Sequence, residues 1–169
     1  MVHIRPEGIE DREAVRRLNE LAFGGSVEAK LVDSLRDSLT TFISLVAVEQ
    51  GDIVGHIFFT PVTIESEGSQ FTAFGLGPMA VLPTFQRQGI GKMLVRRGLE
   101  ECRRIGHDVV VVVGHPEYYP KFGFVPAGTK GLHCEFKVPD EVFMVAELET
   151  HALHDRKGTV KYHQSFNTA

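Results

Sequence analysis

The segment that most constrains the fold reads as a strand, a glycine-containing turn and an amphipathic helix, and it extends to Ile105. Phe71–Leu82 is rich in apolar and small residues, and Pro83 ends this strand because proline cannot donate to a sheet ladder. Beyond the turn, apolar residues recur at helical spacing, which predicts a helix that begins inside the turn. The inward-facing positions are Ile90, Leu94, Val95, Leu99, Cys102 and Ile105.

The turn between this strand and helix has the properties of an anion site. Backbone N–H groups at a helix N-terminus have no intrahelical partner, and the helix dipole is positive there. Gly89 and Gly91 carry no Cβ, so an anion can approach the backbone, and Arg87 and Lys92 add positive charge. Phosphate is therefore the ligand that this turn favours.

Two common phosphate-binding patterns do not fit the turn. The triphosphate pattern G-x-x-x-x-G-K-[ST] fails because Lys92 is followed by Met93 and lacks the upstream glycine. The dinucleotide pattern G-x-G-x-x-G fails because Leu94 replaces its third glycine. The pattern that matches is [QR]-x-x-G-x-[GA], written here as Gln86-Arg87-Gln88-Gly89-Ile90-Gly91. This turn resembles the acyl-CoA pyrophosphate loop of the GNAT superfamily of N-acetyltransferases.

The neighbouring sequence agrees with that resemblance. Val81–Gln86 is similar to the phrase V-x-P-x-x-Q that precedes the loop in GNAT proteins, and Asp108–Val113 supplies the buried strand after the helix. Tyr119–Phe124 fits the later pattern Y-x-x-x-G-F. The resemblance implies an α/β (α+β) GNAT acyl-CoA N-acyltransferase fold, with a mixed, mostly antiparallel central sheet and helices on both faces. It also implies one domain over residues 1–169, with a motif core at 71–125 and C-terminal strands in 126–169.

Outside the motif core, hydrophobic patterning predicts further elements. Asp11 and Gly24-Gly25 bound a first helix, and a second helix starts near Ser26. The inward positions of the first helix are Ala14, Val15, Leu18, Leu21 and Ala22. The predicted strands are Val2–Arg5, Phe42–Glu49, Ile53–Ile64, Glu141–Leu148 and Gly158–Tyr162, and the second and third of them form a hairpin around Gly51.

The resemblance implies that acetyl-CoA is the cosubstrate. In GNAT folds the strand before the loop diverges from its neighbour, so backbone groups of Met79–Val81 are expected to pair with pantetheine. Gly77-Pro78 is consistent with a bulge at this point. The loop is expected to hold the pyrophosphate, and Lys121 to contact a CoA phosphate. The implied cofactor residues are Met79, Ala80, Val81, Gln86, Arg87, Gln88, Gly89, Ile90, Gly91, Lys92 and Lys121.

Acetyl transfer needs a proton for the departing thiolate. Tyr119 aligns with the tyrosine that protonates this sulfur in many GNAT enzymes, and a phenol with a pKa of about 10 is protonated at neutral pH. The neighbouring Tyr118 is an alternative for the role. The competing interpretation is that Tyr119 is an aromatic residue packed beside Phe122 and Phe124.

The base that accepts the proton of the amine is not identified by the match. Many relatives place a carboxylate on the strand before the loop, whereas Phe74–Val81 contains neither an acidic residue nor a histidine. His115, at the end of the buried strand, has a suitable intrinsic pKa and is the preferred catalytic candidate. Glu117 and His56 are the other candidates for this role.

The predicted function is N-acetyl transfer from acetyl-CoA to a primary amine by direct attack on the thioester. Two alternatives stay open: transfer of a longer acyl chain from acyl-CoA or an acyl carrier protein, and a CoA-binding regulatory module without turnover. The acceptor is also open, since a small amine, an amino acid, a peptide, a protein lysine and an antibiotic all fit this sequence.

Composition argues against several other classes. A net charge of −4, with basic residues dispersed outside the central helix, argues against a nucleic-acid surface. No apolar run approaches the roughly 20 residues that span a bilayer, and the N-terminus lacks a signal-peptide core. Cys102 and Cys134 make no disulfide framework, which indicates a reducing cytosol and a cytoplasmic protein with no membrane partner.

The chain also contains three histidines near its C-terminus and a predicted C-terminal strand. His151, His154 and His163 lie in a polar segment without a neighbouring cysteine or paired carboxylates, so we predict no metal site there. The C-terminal strand Gly158–Tyr162, if it lies exposed at the sheet edge, is a candidate for pairing between chains in a homodimer.

Overall fold

The computed structural model describes residues 1–168, and Ala169, the last residue of the predicted C-terminal segment, lies outside the described residues. The three α-helices of the described chain are α1 (Arg12–Phe23), α2 (Val27–Ser38) and α3 (Ile90–Arg104). Its strands are β1 (Val2–Pro6), β2 (Ile43–Glu49), β3 (Asp52–Ser66), β4 (Ser69–Val81), β5 (Val109–Val113), β6 (Val125–Pro126), β7 (Leu132–Cys134), β8 (Phe143–Glu147) and β9 (Gly158–Lys161). Short 3₁₀ helices join several of these elements.

The chain divides into two compact units, which are described in turn. The first unit contains Met1–Phe59, Gly77–Gly98 and the C-terminal residues from Gln164. The second contains Thr60–Leu76 and Leu99–His163. The elements β3, β4 and α3 contribute residues to both units.

The first unit is built on an antiparallel meander with two helices packed on it. β1 pairs with β2, and β2 pairs with β3, with an irregularity in register between Ala47 and Val48. Val32 and Leu35 of α2 pack with the fully buried Phe58 of β3. A second cluster joins a buried valine of α1 to two of β2: Val15, Val46 and Val48. Both helices are thus fixed by apolar burial rather than by helix propensity alone.

Two glycines bring α3 close to β3. A Cβ on Gly55 would lie 3.0 Å from Cδ1 of Leu94 and 3.1 Å from Cγ2 of Ile90. A Cβ on Gly98 would lie only 2.2 Å from Cε1 of Phe59, a ring with no solvent exposure. Strand and helix therefore each contribute one glycine to the contact, and this close approach sets the position of the N-terminus of α3.

The second unit contains the ladder that follows the glycine turn and its helix. β4 pairs in parallel with β5, from Phe74↔Val110 to Leu76↔Val112. β5 pairs antiparallel along its whole length with β8, which also pairs antiparallel with β6. β9 pairs antiparallel with β3 and parallel with β7. The core includes Val62, Ile64, Ala73, Val109, Val111, Leu132, Phe143, Val145 and Val160.

The predicted α/β fold with a mixed, mostly antiparallel sheet is confirmed, and two details are corrected. β9 is paired on both sides, so it is not the exposed edge strand through which we expected two chains to pair. Leu21 was predicted to face inward but is 58% exposed, because only the Val15 and Leu18 side of α1 is buried. One domain over residues 1–169 stays a prediction. No helix within residues 1–168 is both long and apolar enough to cross a membrane.

Candidate active site

The loop that precedes α3 is held by its own side chains. The Gln86 side-chain amide donates to the carbonyl of Val81 at 3.1 Å, and that of Gln88 donates to the carbonyl of Thr84 at 3.5 Å. Both glutamines were predicted to contact CoA. The Gln86 amide thus ties the loop to the end of β4, and the Gln88 amide lies within the loop itself. Each NH2 group keeps a second N–H, and contact of Gln86 and Gln88 with CoA stays a prediction.

The backbone of this loop has the conformation of an anion-binding nest. Arg87 and Gly89 have φ angles of 64° and 86°, and the carbonyl of Gly89 accepts the N–H of Met93 at 3.1 Å, which starts the helix. The N–H groups of Ile90–Lys92 therefore belong to the first turn and have no intrahelical acceptor. A Cβ on Gly89 would meet nothing within 4 Å, so there is room for an anion above the loop.

The charge around the loop is positive. Arg87 and Lys92 are exposed, and no acidic residue occurs in the stretch 79–99. The 15-residue helix α3 directs its positive end toward the loop. Backbone donors, helix dipole and side-chain charge thus all favour a multiply charged anion, and pyrophosphate satisfies these requirements.

The end of β4 continues past its ladder with β5. The last pair of that ladder is Leu76↔Val112, and the strand then runs on through Gly77–Val81, where the Gly77–Pro78 peptide bond is cis. The carbonyl of Val81 already accepts the Gln86 amide. Pairing of this segment with pantetheine stays a prediction.

Tyr119 starts a 3₁₀ turn, Tyr119–Phe122, and is only 7% exposed. Its N–H donates to the carbonyl of His115 at 3.3 Å, and its ring packs edge-on against Phe124 with centroids 5.6 Å apart. Burial raises the pKa of the Tyr119 phenol above its ordinary value. The hydroxyl therefore stays protonated at neutral pH, as a general acid requires.

The other predicted site residues near Tyr119 are exposed. His115 presents its carbonyl to Tyr118 and Tyr119, while its side chain lies in an exposed position. The ammonium group of Lys121 lies 5.4 Å from the centre of the Tyr118 ring, a cation–π contact. Glu117 is also exposed. The side chains of His115 and Glu117 are therefore accessible to molecules in solution.

His56, in contrast, is a structural residue. It has no solvent exposure, and burial, with a smaller effect of nearby Arg36, lowers its pKa to about 3. Its Nδ1 lies 3.4 Å from the Asn19 amide nitrogen and its Nε2 lies 2.9 Å from the Ser44 hydroxyl. With both ring nitrogens occupied inside the core, His56 is not the base that we considered from the sequence.

A buried chain of hydrogen bonds runs through His56. The amide of Asn19 can only donate to Nδ1, which assigns the ring proton to Nε2, and Nε2 donates to Ser44. The Ser44 hydroxyl donates to Glu7 at 2.8 Å. Arg36, whose side chain is 3% exposed, forms an ion pair with the same carboxylate. This series of hydrogen bonds could not be predicted, because its members are far apart along the polypeptide.

The described residues contain no candidate metal centre. Within positions 1–168, no three histidine, cysteine, aspartate or glutamate side chains lie close enough to hold an ion. The three histidines considered from the sequence therefore do not form such a group in this part of the chain.

Comparisons with known proteins agree with this geometry. The family model described as "Acetyltransferase (GNAT) domain" matches residues 3–127. Among curated proteins, the chain is similar to the N-acetyltransferase YhbS of Escherichia coli K12, with 34% identity over 165 residues, covering 97% of this chain and 98% of YhbS. It is 41% identical to the N-acetyltransferase YjhQ of the same organism over 134 residues, covering 78% of this chain and 74% of YjhQ.

Solved structures show the same relationship. The crystal structure of the GNAT family N-acetyltransferase YhbS from Escherichia coli in complex with CoA superimposes with a TM-score of 0.91 at 34% identity, covering 98% of this chain and 92% of that one. A GNAT family acetyltransferase from Brucella melitensis in complex with acetyl-CoA gives 0.80 at 35% identity, covering 98% of both chains. With the family model and full-length relatives in agreement, the chain belongs to the GNAT family of N-acetyltransferases.

Proposed function

We propose that the protein transfers the acetyl group of acetyl-CoA to a primary amine, and that residues 1–169 form one catalytic domain. The observation that carries this proposal is the nest at the N-terminus of α3. Its open space at Gly89, its first-turn N–H groups and the charges of Arg87 and Lys92 fit the pyrophosphate of CoA. The complexes of related GNAT proteins with CoA and acetyl-CoA give further support.

The reaction is a direct displacement at the thioester carbon. The lone pair of the neutral amine attacks this carbon, a C–N bond forms, the C–S bond breaks, and the nitrogen loses its extra proton to His115, directly or through a water molecule. The leaving thiolate takes a proton from the Tyr119 hydroxyl, and the tyrosinate is later reprotonated by solvent. The products are an N-substituted acetamide and the free thiol of CoA. The phenol of Tyr119 is protonated at neutral pH, so it has a proton to donate when the sulfur leaves.

We assign deprotonation of the amine to His115, acting directly or through a water molecule. Its exposed side chain supports this assignment, since an acceptor from solvent can approach it. The remaining cofactor contacts belong to the same proposal. Gln86–Lys92 hold the pyrophosphate, Met79, Ala80 and Val81 pair with pantetheine, and Lys121 contacts a CoA phosphate.

The test measures free-thiol release from acetyl-CoA against a panel of amines: amino acids, peptides, polyamines and aminoglycosides. Wild type is compared with Gly89→Glu, whose carboxylate repels the pyrophosphate. Gly51→Glu is the matched control, because Gly51 also has open space around its Cβ position and a φ of 84°, close to the 86° of Gly89. Both variants therefore carry the same backbone strain, and only one of them places a charge in the nest.

We expect release that depends on one class of amine, is retained in Gly51→Glu and is lost in Gly89→Glu. Tight acetyl-CoA binding with no amine-dependent release would contradict the enzyme and favour a CoA-binding module. Release from a long-chain acyl-CoA but not from acetyl-CoA would favour the longer-chain alternative. Equal activity of the two variants would refute the assignment of the nest.

The proposal also includes an acceptor from one class of primary amine and assembly of the protein as a homodimer. The amine panel identifies the acceptor class. Light scattering on the purified protein tests the homodimer, whose interface has to lie elsewhere than at β9, since that strand is paired with β3 and β7.

A further inference from the structure

We infer that Gly114 is a positioning residue for catalysis, because together with Phe124 it forms the seat that fixes the Tyr119 ring, here called the Tyr119 seat. This inference rests on the proposed role of Tyr119 as the general acid. Gly114 is the first residue after β5, and no feature of the sequence marked it as functional.

The ring of Tyr119 lies directly against the backbone of Gly114. A Cβ on Gly114 would be 2.4 Å from Cε2, 2.9 Å from Cδ2 and 3.3 Å from Cζ of the Tyr119 ring. Ordinary van der Waals contact begins at 3.4 Å, so even a methyl group would displace the ring by about 1 Å. Glycine is therefore the one residue type at position 114 that leaves enough space for the Tyr119 ring.

Gly114 is itself fixed on the sheet. Its N–H donates to the carbonyl of Val142 at 2.9 Å, directly beyond the last β5–β8 pair, Val113↔Phe143. The next residue, His115, accepts the N–H of Tyr119. The ring and the backbone of Tyr119 are therefore both held by residues that directly follow β5. Because Gly114 is hydrogen-bonded to Val142, it cannot move away to accommodate a larger side chain.

Phe124 closes the seat with an edge-on contact, at an interplanar angle of 73° to the Tyr119 ring. Phe124 is 2% exposed, so it is held in the core. A ring held between a backbone and a buried aromatic side chain keeps its hydroxyl in one place. Proton transfer depends on that placement, and a misplacement of about 1 Å commonly costs up to about 100-fold in rate.

The test is a double-mutant cycle of Gly114→Ala and Tyr119→Phe, with kcat and the KM for acetyl-CoA measured for all four proteins. We expect Gly114→Ala to lower kcat by about 10- to 100-fold and Tyr119→Phe to lower it by about 100-fold. In the Tyr119→Phe background, Gly114→Ala should change kcat by less than about twofold, because the hydroxyl that it misplaces is absent. The KM for acetyl-CoA should change little, whereas a general loss of structure would alter both constants.

Gly128→Ala is the matched control in the same unit. A Cβ on Gly128 would meet nothing within 4 Å, and Gly128 is not among the glycines with a positive φ. This variant makes the same chemical change without a clash, so we expect wild-type kcat. Thermal melting of each variant verifies that the proteins are folded at the assay temperature.

An unchanged kcat in Gly114→Ala, or an equal loss in both backgrounds, would overturn the inference while leaving the role of Tyr119 intact. An unchanged kcat in Tyr119→Phe would refute the proposed acid and the seat together. If Gly114→Ala does not fold, the same cycle is run with Phe124→Leu, which loosens the seat without adding a group. Phe124→Leu should lower kcat when Tyr119 is present and leave it unchanged in the Tyr119→Phe background. An equal loss of kcat in both backgrounds would overturn the inference.

Discussion

His56 should make the stability of this protein depend on pH between 5 and 7. The folded protein keeps the imidazole neutral, because it is buried with no exposure and its pKa falls from the ordinary 6.5 to about 3. The groups around it are the Asn19 amide, the Ser44 hydroxyl and, beyond Ser44, the ion pair of Glu7 and Arg36. A charged imidazolium would also carry a proton on Nδ1, which faces the Asn19 amide donor and not an acceptor.

The sign and size of the effect follow from proton linkage. Below pH 6.5 the unfolded chain binds a proton at His56 that the folded protein does not bind until the pH approaches 3. The stabilisation is therefore fully present above pH 6.5 and declines as the pH falls. Between pH 7 and pH 5 the loss in the free energy of unfolding from this one group is about 2 kcal/mol.

Urea unfolding at pH 7 and pH 5 measures this loss, with His56→Gln as the variant that cannot titrate. Far-UV circular dichroism follows the transition, since the chain has no tryptophan for fluorescence. At pH 7 the variant should be less stable by about 1–3 kcal/mol, because buried hydrogen bonds are disturbed. Between pH 7 and pH 5, however, wild type should lose about 2 kcal/mol more than the variant.

His133→Gln is the control, because His133 lies exposed on β7. This control should show the same pH dependence as wild type. The reasoning is refuted if His56→Gln loses as much stability between pH 7 and pH 5 as wild type does. That result would mean that the folded protein protonates His56 without a penalty.

Two further predictions concern α3 and its loop. Gly98→Ala should lower the free energy of unfolding by about 1–2 kcal/mol, because the clash with the buried Phe59 ring outweighs the better helix propensity of alanine. An increase in the urea midpoint of unfolding would contradict this prediction. Arg87→Gln should raise the KM for acetyl-CoA about fivefold and leave kcat unchanged, because an exposed arginine beside a phosphate contributes about 1 kcal/mol to binding. An unchanged KM would show that Arg87 does not contact the cofactor.

The fold was predictable where side-chain periodicity and chain order carry the information. Ile90, Leu94 and Cys102 are buried on α3 as their helical spacing predicts. The prediction fails at Ile105, which is 41% exposed, because α3 ends one residue earlier. The two- and three-residue strands β6 and β7 were missed, since segments so short show no alternation.

The site was predictable as a motif but not as a set of contacts. The pattern around Gly89 located the nest, yet it does not reveal that the side chain of Gln86 bonds to Val81. The significance of Gly114 depends on a ring five residues later in the chain. His56 appeared in the sequence as a possible base because burial cannot be read from a single polar residue on a strand.

The pairing of β9 determines when this protein can finish folding during synthesis. The residues of β3 that pair with β9, Thr63–Glu65, leave the ribosome long before Thr159–Lys161, so the ladder closes a long loop, from Thr63 to Lys161, that makes up more than half of the chain. Until then this edge of β3, and β7 on the other side of β9, present unpaired backbone groups. We expect nascent chains that stop before Gly158 to depend on chaperones, whereas release of the last strand completes the sheet in a single late step.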